Sequence, residues 1–217
     1  MPLEDYKGIV GAVASVVTIA QFFSGVFVCK DIVRKGNTRN VQVAPFVGGI
    51  GLSVLFFKYA EIINDPGMYP VNLMGSVLNV GYLMCYYAYT ENKMHVIKTI
   101  GQAILFFGSI LLYVNWEDSD KVLFRFGIIT TALMILLIAS PMAQLGEVIR
   151  TKSTECLPFP MILMGTISAF MWLLYGIILS DAFIQIQNLI GFLLSAAQLS
   201  LFAIYPSRPV SEKKKSN

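Results

Sequence analysis

Two asparagines at equivalent positions are the residues of this chain best suited to binding a small molecule. Asn72 and Asn188 each begin an Asn-x-x-Gly unit inside a strongly apolar stretch. An asparagine side chain offers one carbonyl acceptor and two N–H donors, which suits a neutral solute with many hydroxyl groups. Polar residues inside apolar spans are costly and mark functional positions by default. The alternative is that both asparagines hydrogen-bond one helix to another, but the symmetry of the pair favours a solute site.

Trp172 is a second candidate for contact with a solute. It lies about eight residues from the end of its apolar stretch, or roughly 12 Å at the rise of an α-helix, which is too deep for the aromatic belt at a membrane interface. The indole therefore either packs against a neighbouring helix or stacks on a sugar ring. The residues alone leave these two alternatives equal.

Both asparagines belong to a repeat with an offset of 116 residues. The segment Asp31-Ile-Val-Arg34 returns as Glu147-Val-Ile-Arg150, and single residues return at the same spacing: Thr38 as Thr154, Tyr59 as Tyr175, Asp65 as Asp181 and Gly75 as Gly191. Two similar apolar halves predict a membrane protein with a pseudo-symmetry axis, in which two half-sites face each other across a transported solute.

Composition supports a membrane protein. The chain has 217 residues, of which 56% are hydrophobic and 13% charged, whereas a soluble domain has about 25% charged residues. The apolar residues form blocks near the length that crosses a bilayer as a helix. Seven transmembrane helices are predicted, at about 8–29, 43–63, 70–90, 98–115, 123–146, 158–180 and 183–205.

The distribution of charge predicts the orientation of these helices. Twelve of the 16 basic residues fall in the loops after helices 1, 3 and 5 and in the tail, whereas the opposite loops are acidic. The positive-inside rule therefore places the C-terminus in the cytoplasm and the N-terminus outside. An odd number of spans is needed for this arrangement, which agrees with seven.

The fourth helix explains how the two repeats are arranged. Three spans turn the chain over, yet Arg34 and Arg150 both lie on the basic side, so helix 4 must invert the chain and make the repeats parallel. The predicted architecture is all-α, with two parallel three-helix repeats joined by an inversion linker (3+1+3). Its parts are the first repeat at 1–91, the linker at 92–121, the second repeat at 122–206 and a basic cytoplasmic tail at 207–217.

Four helix-weakening residues form a candidate set of hinges. Pro141 falls inside helix 5, where a proline removes a backbone hydrogen bond and kinks the helix. Gly25 is its equivalent in helix 1. Pro45 and Pro158 lie near the starts of helices 2 and 6, where the alternative is ordinary helix initiation.

The sequence argues against several other classes of protein. The single histidine, His95, lies in a basic loop, and the chain has no nucleophile–base or metal-binding pattern, so neither an enzyme, a cofactor, a metal nor a nucleic-acid partner is expected. A seven-helix receptor lacks a three-helix repeat and carries Asp-Arg-Tyr and Asn-Pro-x-x-Tyr signatures, which do not occur here. A PQ-loop carrier of amino acids is the closer alternative, but the chain has no Pro-Gln dipeptide.

Several motifs, taken together with their order along the chain, resemble the SWEET, or saliva-type, family of sugar transporters, and its animal members most. They are Arg150-Thr-Lys-Ser-Thr-Glu155, the Ala-Ser-Pro-Met of helix 5, the Trp-x-x-Tyr-Gly of helix 6 and the paired Asn-x-x-Gly units. The resemblance covers the chain to about residue 206. It implies a facilitative, proton-independent, bidirectional uniporter of mono- or disaccharides that works by alternating access.

The resemblance also implies roles for individual residues and partners. Asn72 and Asn188 would hydrogen-bond the sugar, Trp172 would stack beneath it, and Phe56 matches a pocket position. An outer gate would be formed by Tyr59 and Asp181, and the hinge set would be Gly25, Pro45, Pro141 and Pro158. The implied partners are a sugar of the glucose, sucrose or trehalose class, the lipid bilayer and further copies of the chain. The expected location is the plasma membrane, with the Golgi or another internal membrane as the alternative.

The chain departs from the family pattern in two places. The first hinge is Gly25 rather than proline, and Lys58 and Ala60 stand where tryptophan and glycine are more usual. Lys58 lies about five residues from the outer end of helix 2, so its side chain either extends to the interface or pairs with Glu61 or Asp65.

Overall fold

The computed structural model describes residues 3–39, 41–139, 142–154 and 157–205. These residues form nine α-helices, together with short 3₁₀ turns at Leu3–Tyr6 and Pro66–Met68. The helices are α1 (Lys7–Phe22), α2 (Ser24–Lys35), α3 (Ala44–Ile62), α4 (Tyr69–Tyr89), α5 (Lys93–Trp116), α6 (Ser119–Ala139), α7 (Met142–Thr151), α8 (Phe159–Ile178) and α9 (Ala182–Ile204).

The helix lengths are compatible with seven membrane spans. Within the described residues, six helical segments are long and apolar enough to cross a membrane: Glu4–Lys35, Ala44–Ile62, Lys93–Trp116, Asp120–Ile138, Phe159–Ile178 and Ala182–Ile204. Helix α4 has 21 residues, which is long enough to cross roughly 30 Å of hydrocarbon. Its two asparagines and several tyrosines make it less apolar than the other six.

Two helices extend beyond the predicted apolar blocks. The first helical segment continues to Lys35, and α5 begins at Lys93 rather than near residue 98. Hydropathy marks the part of a helix that lies in lipid, whereas backbone capping sets its ends. The side chain of Asn92 accepts a hydrogen bond from the amide of His95 (3.0 Å) and so caps α5. Gly36 ends α2 in the left-handed conformation, with φ of +66°.

The chain forms two compact units, Thr18–Thr130 and Met1–Val17 with Thr131–Asn217. These units do not follow the sequence repeats at α1 and α6. In the first unit, the ring of Phe126 from α6 lies 6.1 Å from that of Tyr59. In the second unit, the ring of Tyr175 lies so close to Gly11 of α1 that an added Cβ would be 2.7 Å from its Cε2. Each unit therefore contains the beginning of a helix that the sequence assigns to the other repeat.

The core of the first unit joins α2, α3, α4 and α5. Its buried members are Ile32, Val43, Phe46, Val47, Tyr82, Tyr86 and Val96. At the corner between α5 and α6, Glu117 accepts hydrogen bonds from the hydroxyl of Tyr113 and from the guanidinium of Arg125. These two donors hold the pKa of the Glu117 carboxyl below its usual range.

The contact between α3 and α5 leads to a first prediction. An added Cβ at Gly51 would lie 2.2 Å from the ring of Phe107, so Gly51→Ala is expected to overpack this contact and destabilise the protein by about 1–3 kcal/mol. Combining it with Phe107→Ala should cost less than the sum of the two single substitutions. The melting temperature in detergent measures both effects.

Gly48→Ala is the matched control for this prediction. Gly48 lies in the same helix, and an added Cβ there would meet nothing within 4 Å. Alanine has the higher helix propensity, so Gly48→Ala should leave the melting temperature unchanged or raise it. Equal melting temperatures for the two alanine variants would contradict a tight contact at Gly51.

Candidate functional site

In the first repeat, Asn72 lies level with an aromatic residue on the neighbouring helix. Helices α3 and α4 pack against each other and run antiparallel. An added Cβ at Gly75 would lie 2.7 Å from the hydroxyl of Ser53, so these two residues are level. Phe56 follows Ser53 by three residues and Asn72 precedes Gly75 by three. Phe56 and Asn72 are therefore level with each other, and both are partly buried.

The second repeat has the same arrangement. Helices α8 and α9 are antiparallel, and an added Cβ at Gly176 would lie 2.9 Å from the side chain of Ile184. Trp172 precedes Gly176 by four residues and Asn188 follows Ile184 by four. Trp172 is therefore level with Asn188. Each repeat thus places one aromatic ring and one amide at the same height on adjacent helices.

The two asparagine side chains make the same local hydrogen bond. Nδ2 of Asn72 donates to the carbonyl of Met68 (2.9 Å), and Nδ2 of Asn188 donates to the carbonyl of Ile184 (2.8 Å). Among the hydrogen bonds of the described residues, each side chain makes only this one. Each therefore retains one N–H donor and its Oδ1 acceptor, which together can bind a hydroxyl group.

Asn79 shows what an asparagine does when it joins two helices. Its Nδ2 donates to the carbonyl of Gly75 (2.8 Å), and its Oδ1 would lie 2.7 Å from a Cβ added at Gly49 on α3. Asn79 thus fills the space that this glycine leaves. The sequence alone gave no sign of this role, although the equivalent residue at the repeat offset, Ser195, makes the same type of hydrogen bond to Gly191 (2.7 Å).

The paired tyrosines are packing residues in this conformation. Tyr59 and Tyr175 are among the most buried side chains, with 1% of each exposed. The ring of Tyr175 stands perpendicular to that of Trp172 at 5.4 Å, and the ring of Tyr59 lies 6.5 Å from that of Phe56 in an edge-on contact. Such edge contacts between aromatic rings are favourable. Each tyrosine therefore supports the aromatic residue that lies level with an asparagine.

Asp181 caps a helix. Its carboxylate accepts hydrogen bonds from the amides of Phe183 (2.9 Å) and Ile184 (3.0 Å), at the start of α9. A cap of this kind contributes about 0.5–2 kcal/mol to stability. Its equivalent Asp65 is buried just before the turn Pro66–Met68. The gating role of Tyr59 and Asp181 remains a prediction.

The proposed hinge residues lie at helix ends and at a helix break. Pro45 is in the first turn of α3, and Pro158 directly precedes α8, which agrees with ordinary helix initiation. Gly25 lies two residues after Phe23, where α1 gives way to α2. Pro141 lies outside the described residues.

Lys58 forms an ion pair with Glu61 (3.0 Å), which is one of the alternatives left open by the sequence.

An open groove of about 690 Å³ in the first unit is lined by Phe27, Val28, Asp31, Val41, Gln42, Pro45 and Phe46. It contains none of the residues expected to contact a sugar.

Comparison with known proteins identifies the family. The model of the family described as "Sugar efflux transporter for intercellular exchange" matches residues 8–94 and 124–210, two segments whose starts and ends are 116 residues apart. The chain is 33% identical over 201 residues to "Sugar transporter SWEET1" of Drosophila pseudoobscura pseudoobscura, covering 91% of this chain and 89% of the relative. It is 29% identical to "Bidirectional sugar transporter SWEET9" of Arabidopsis thaliana, covering 94% of this chain and 81% of that protein.

The same family appears among solved structures. The chain matches a eukaryotic SWEET transporter determined at 3.7 Å resolution, with a TM-score of 0.86, 25% sequence identity and coverage of 94% of this chain and 98% of that one. The chain belongs to the SWEET family of sugar transporters. The predicted all-α membrane fold and the resemblance to animal members are confirmed.

Proposed function

We propose that this protein is a facilitative, bidirectional sugar uniporter. Membership of the SWEET family supports the assignment to sugar transport rather than to an enzyme or a receptor. The observation that carries the proposal is the repeated pair of an aromatic ring level with an amide, Phe56 with Asn72 and Trp172 with Asn188.

This pair matches the chemistry of a sugar. The hydroxyl groups of a sugar both donate and accept hydrogen bonds, and each asparagine retains one donor and one acceptor. The C–H face of the sugar ring is apolar and packs on an aromatic ring. Asn72 and Asn188 therefore bind hydroxyl groups in this proposal, and Trp172 and Phe56 contact the ring face.

The acidic residues of the spans support transport without proton coupling. In the described spans, carboxylates occur only near helix ends, at Glu4, Asp5, Asp31, Glu61 and Asp120. Asp31 is held by Arg34 and Lys35, and Glu61 by Lys58. A proton-coupled carrier uses a carboxylate or histidine within the membrane to bind the proton, and the middle of the described spans has neither.

Uptake of radiolabelled sugar by intact transport-deficient yeast tests the proposal. Cells with this protein should take up glucose, sucrose or trehalose until the inner and outer concentrations are equal, and preloaded cells should release the sugar. An uncoupler should leave the initial rate of uptake unchanged, because sugar transport is not coupled to a proton gradient in this proposal. Leucine and lysine serve as control solutes. Accumulation that the uncoupler abolishes would overturn the uniporter assignment.

The same cells test location and orientation. We place the protein in the plasma membrane with its N-terminus outside, on the strength of the basic loops after helices 1, 3 and 5. Intact cells report only protein at the plasma membrane. An N-terminal epitope tag should bind antibody without permeabilisation, whereas a C-terminal tag should need it.

A further inference from the structure

The break between α1 and α2 is held open by a side chain from another helix. The amide of Val26 donates to the carbonyl of Phe23 (3.0 Å), which is a tighter turn than that of an α-helix. The carbonyl of Phe22, four residues before Val26, instead accepts a hydrogen bond from the hydroxyl of Tyr82 (2.9 Å). A side chain that takes over a carbonyl of the helical ladder is a recognised cause of a kink.

Tyr82 also explains why residue 25 is a glycine. An added Cβ at Gly25 would lie 2.3 Å from Cε2 of Tyr82 and 2.7 Å from its Cδ2 and Cζ. Tyr82 is buried, and its ring packs 6.1 Å from that of Phe46, so it cannot move aside without disturbing the core. The ring therefore occupies the space where any other residue at position 25 would place its side chain.

The residue before the break packs against the Asn-x-x-Gly unit of the same repeat. The ring of Phe22 lies against α4, where an added Cβ at Gly75 would be 2.9 Å from its Cε2. Gly75 is the glycine of the Asn72-x-x-Gly75 unit. Phe22 thus contacts Tyr82 through its carbonyl and the Asn-x-x-Gly unit through its ring.

The two repeats use different residue pairs at these positions. At the 116-residue offset, Gly25 and Tyr82 correspond to Pro141 and Gln198. A glycine opposite a large ring in the first repeat is thus replaced by a proline and a smaller amide in the second. A proline breaks the helical ladder by its own covalent structure, whereas a glycine does not.

We propose that Tyr82 is the positioning residue that maintains the helix break in the first repeat, in place of a proline. Its hydroxyl holds the carbonyl of Phe22 out of the helical ladder, and its ring requires glycine at position 25. In this proposal the helix bends at this break during alternating access, so Tyr82 sets the turnover of the transporter without touching the sugar. This role in transport rests on the proposed function, whereas the coupling of Tyr82 with Gly25 does not.

Exchanging the residue pairs tests the proposal. Gly25→Pro should lose transport because the proline ring would overlap Tyr82, and Tyr82→Gln should lower it because Phe22 loses its donor. The double variant Gly25→Pro/Tyr82→Gln carries the residue pair of the second repeat and should recover most of the wild-type rate. A double variant no better than the product of the two single variants would overturn the proposal.

Tyr82→Phe separates positioning from packing. This variant keeps the ring and removes the hydroxyl, which leaves a carbonyl without its partner and should lower Vmax per surface molecule about tenfold, with KM unchanged. A purely structural role would lower the amount of protein at the surface and leave Vmax per molecule at the wild-type value. That second result would contradict the proposal even if Gly25→Pro does not fold.

Melting temperatures test the pair without any substrate. Tyr82→Gln should destabilise the wild-type background and stabilise the Gly25→Pro background. If wild-type protein moves no sugar and this reversal is still found, the proposed function fails while the pairing of Tyr82 with position 25 holds. If the reversal is absent, the pairing itself is wrong.

Discussion

Sugar uptake should fall about a hundredfold when either Asn72 or Asn188 is replaced by alanine, since a hydroxyl of the bound sugar would then lose its partner in an apolar span. Both side chains are partly buried and keep one donor and one acceptor after each bonds to the backbone carbonyl four residues earlier. Among the glycines whose surroundings the structure describes, none has either side chain as a nearest neighbour, whereas Gly49 has Asn79. Surface abundance should therefore stay normal, and uptake per surface molecule is the measurement.

Two matched variants separate sugar binding from helix packing. Ser195→Ala removes a polar side chain from the same helix as Asn188, with the same type of local hydrogen bond, and should leave uptake near the wild-type rate. Asn79→Ala should lower the melting temperature more than Asn72→Ala does, because Asn79 packs against α3. Normal uptake by Asn72→Ala or Asn188→Ala at normal abundance would remove these residues from the site.

Trp172→Ala should lower uptake about tenfold, mainly through a higher KM. The indole lies level with Asn188 and is held at a right angle to the ring of Tyr175, so it presents a fixed apolar surface. Stacking on a ring contributes about 0.5–1.5 kcal/mol beyond the area that it buries. Trp172→Phe keeps an aromatic surface and should lose less than Trp172→Ala.

The second tryptophan supplies the control for this prediction. Trp116 lies at the end of α5 and is 91% exposed, so Trp116→Phe should transport normally. In that background Trp172 is the only tryptophan, and sugar should change its fluorescence in a saturable manner. The Asn188→Ala substitution should abolish the change. A fluorescence response that survives this substitution would place the sugar elsewhere.

The membrane fold could be predicted because the hydrophobic blocks and the repeat are visible in the sequence. Apolar blocks give the number of spans, since each must match the thickness of the bilayer. They do not give the helix ends, which depend on local caps such as Asn92 and on the conformation of Gly36. The extension of the first segment to Lys35 was missed for this reason.

The repeat also marks the two asparagines as candidate binding residues, but it does not reveal their surroundings. Their polarity and spacing are visible in the sequence. Their alignment with Phe56 and Trp172 on the adjacent helices depends on the register of antiparallel helices. That register is set by contacts such as Gly75 with Ser53 and Gly176 with Ile184. Glycines within the helices were the available signal, because a glycine allows a neighbouring helix to approach closely.

The contact of Tyr82 with Phe22 could not be predicted. The two residues are 60 positions apart, and a hydroxyl that bonds a carbonyl leaves no periodic pattern. The glycine at position 25 was visible in the sequence, but it suggested only a flexible point. The structure adds that a Cβ at this position would lie 2.3 Å from the ring of Tyr82.

Each compact unit contains the beginning of a helix that belongs to the other repeat. This arrangement governs the order in which the two units can form during synthesis. Gly11 is made before every residue of Thr18–Thr130, yet the ring against which it packs belongs to Tyr175, which is made more than 160 residues later. Phe126, in contrast, emerges when its partner Tyr59 is already in place. The first unit can thus form before residues 131–205 are made, whereas the second unit cannot form until Tyr175 has been made.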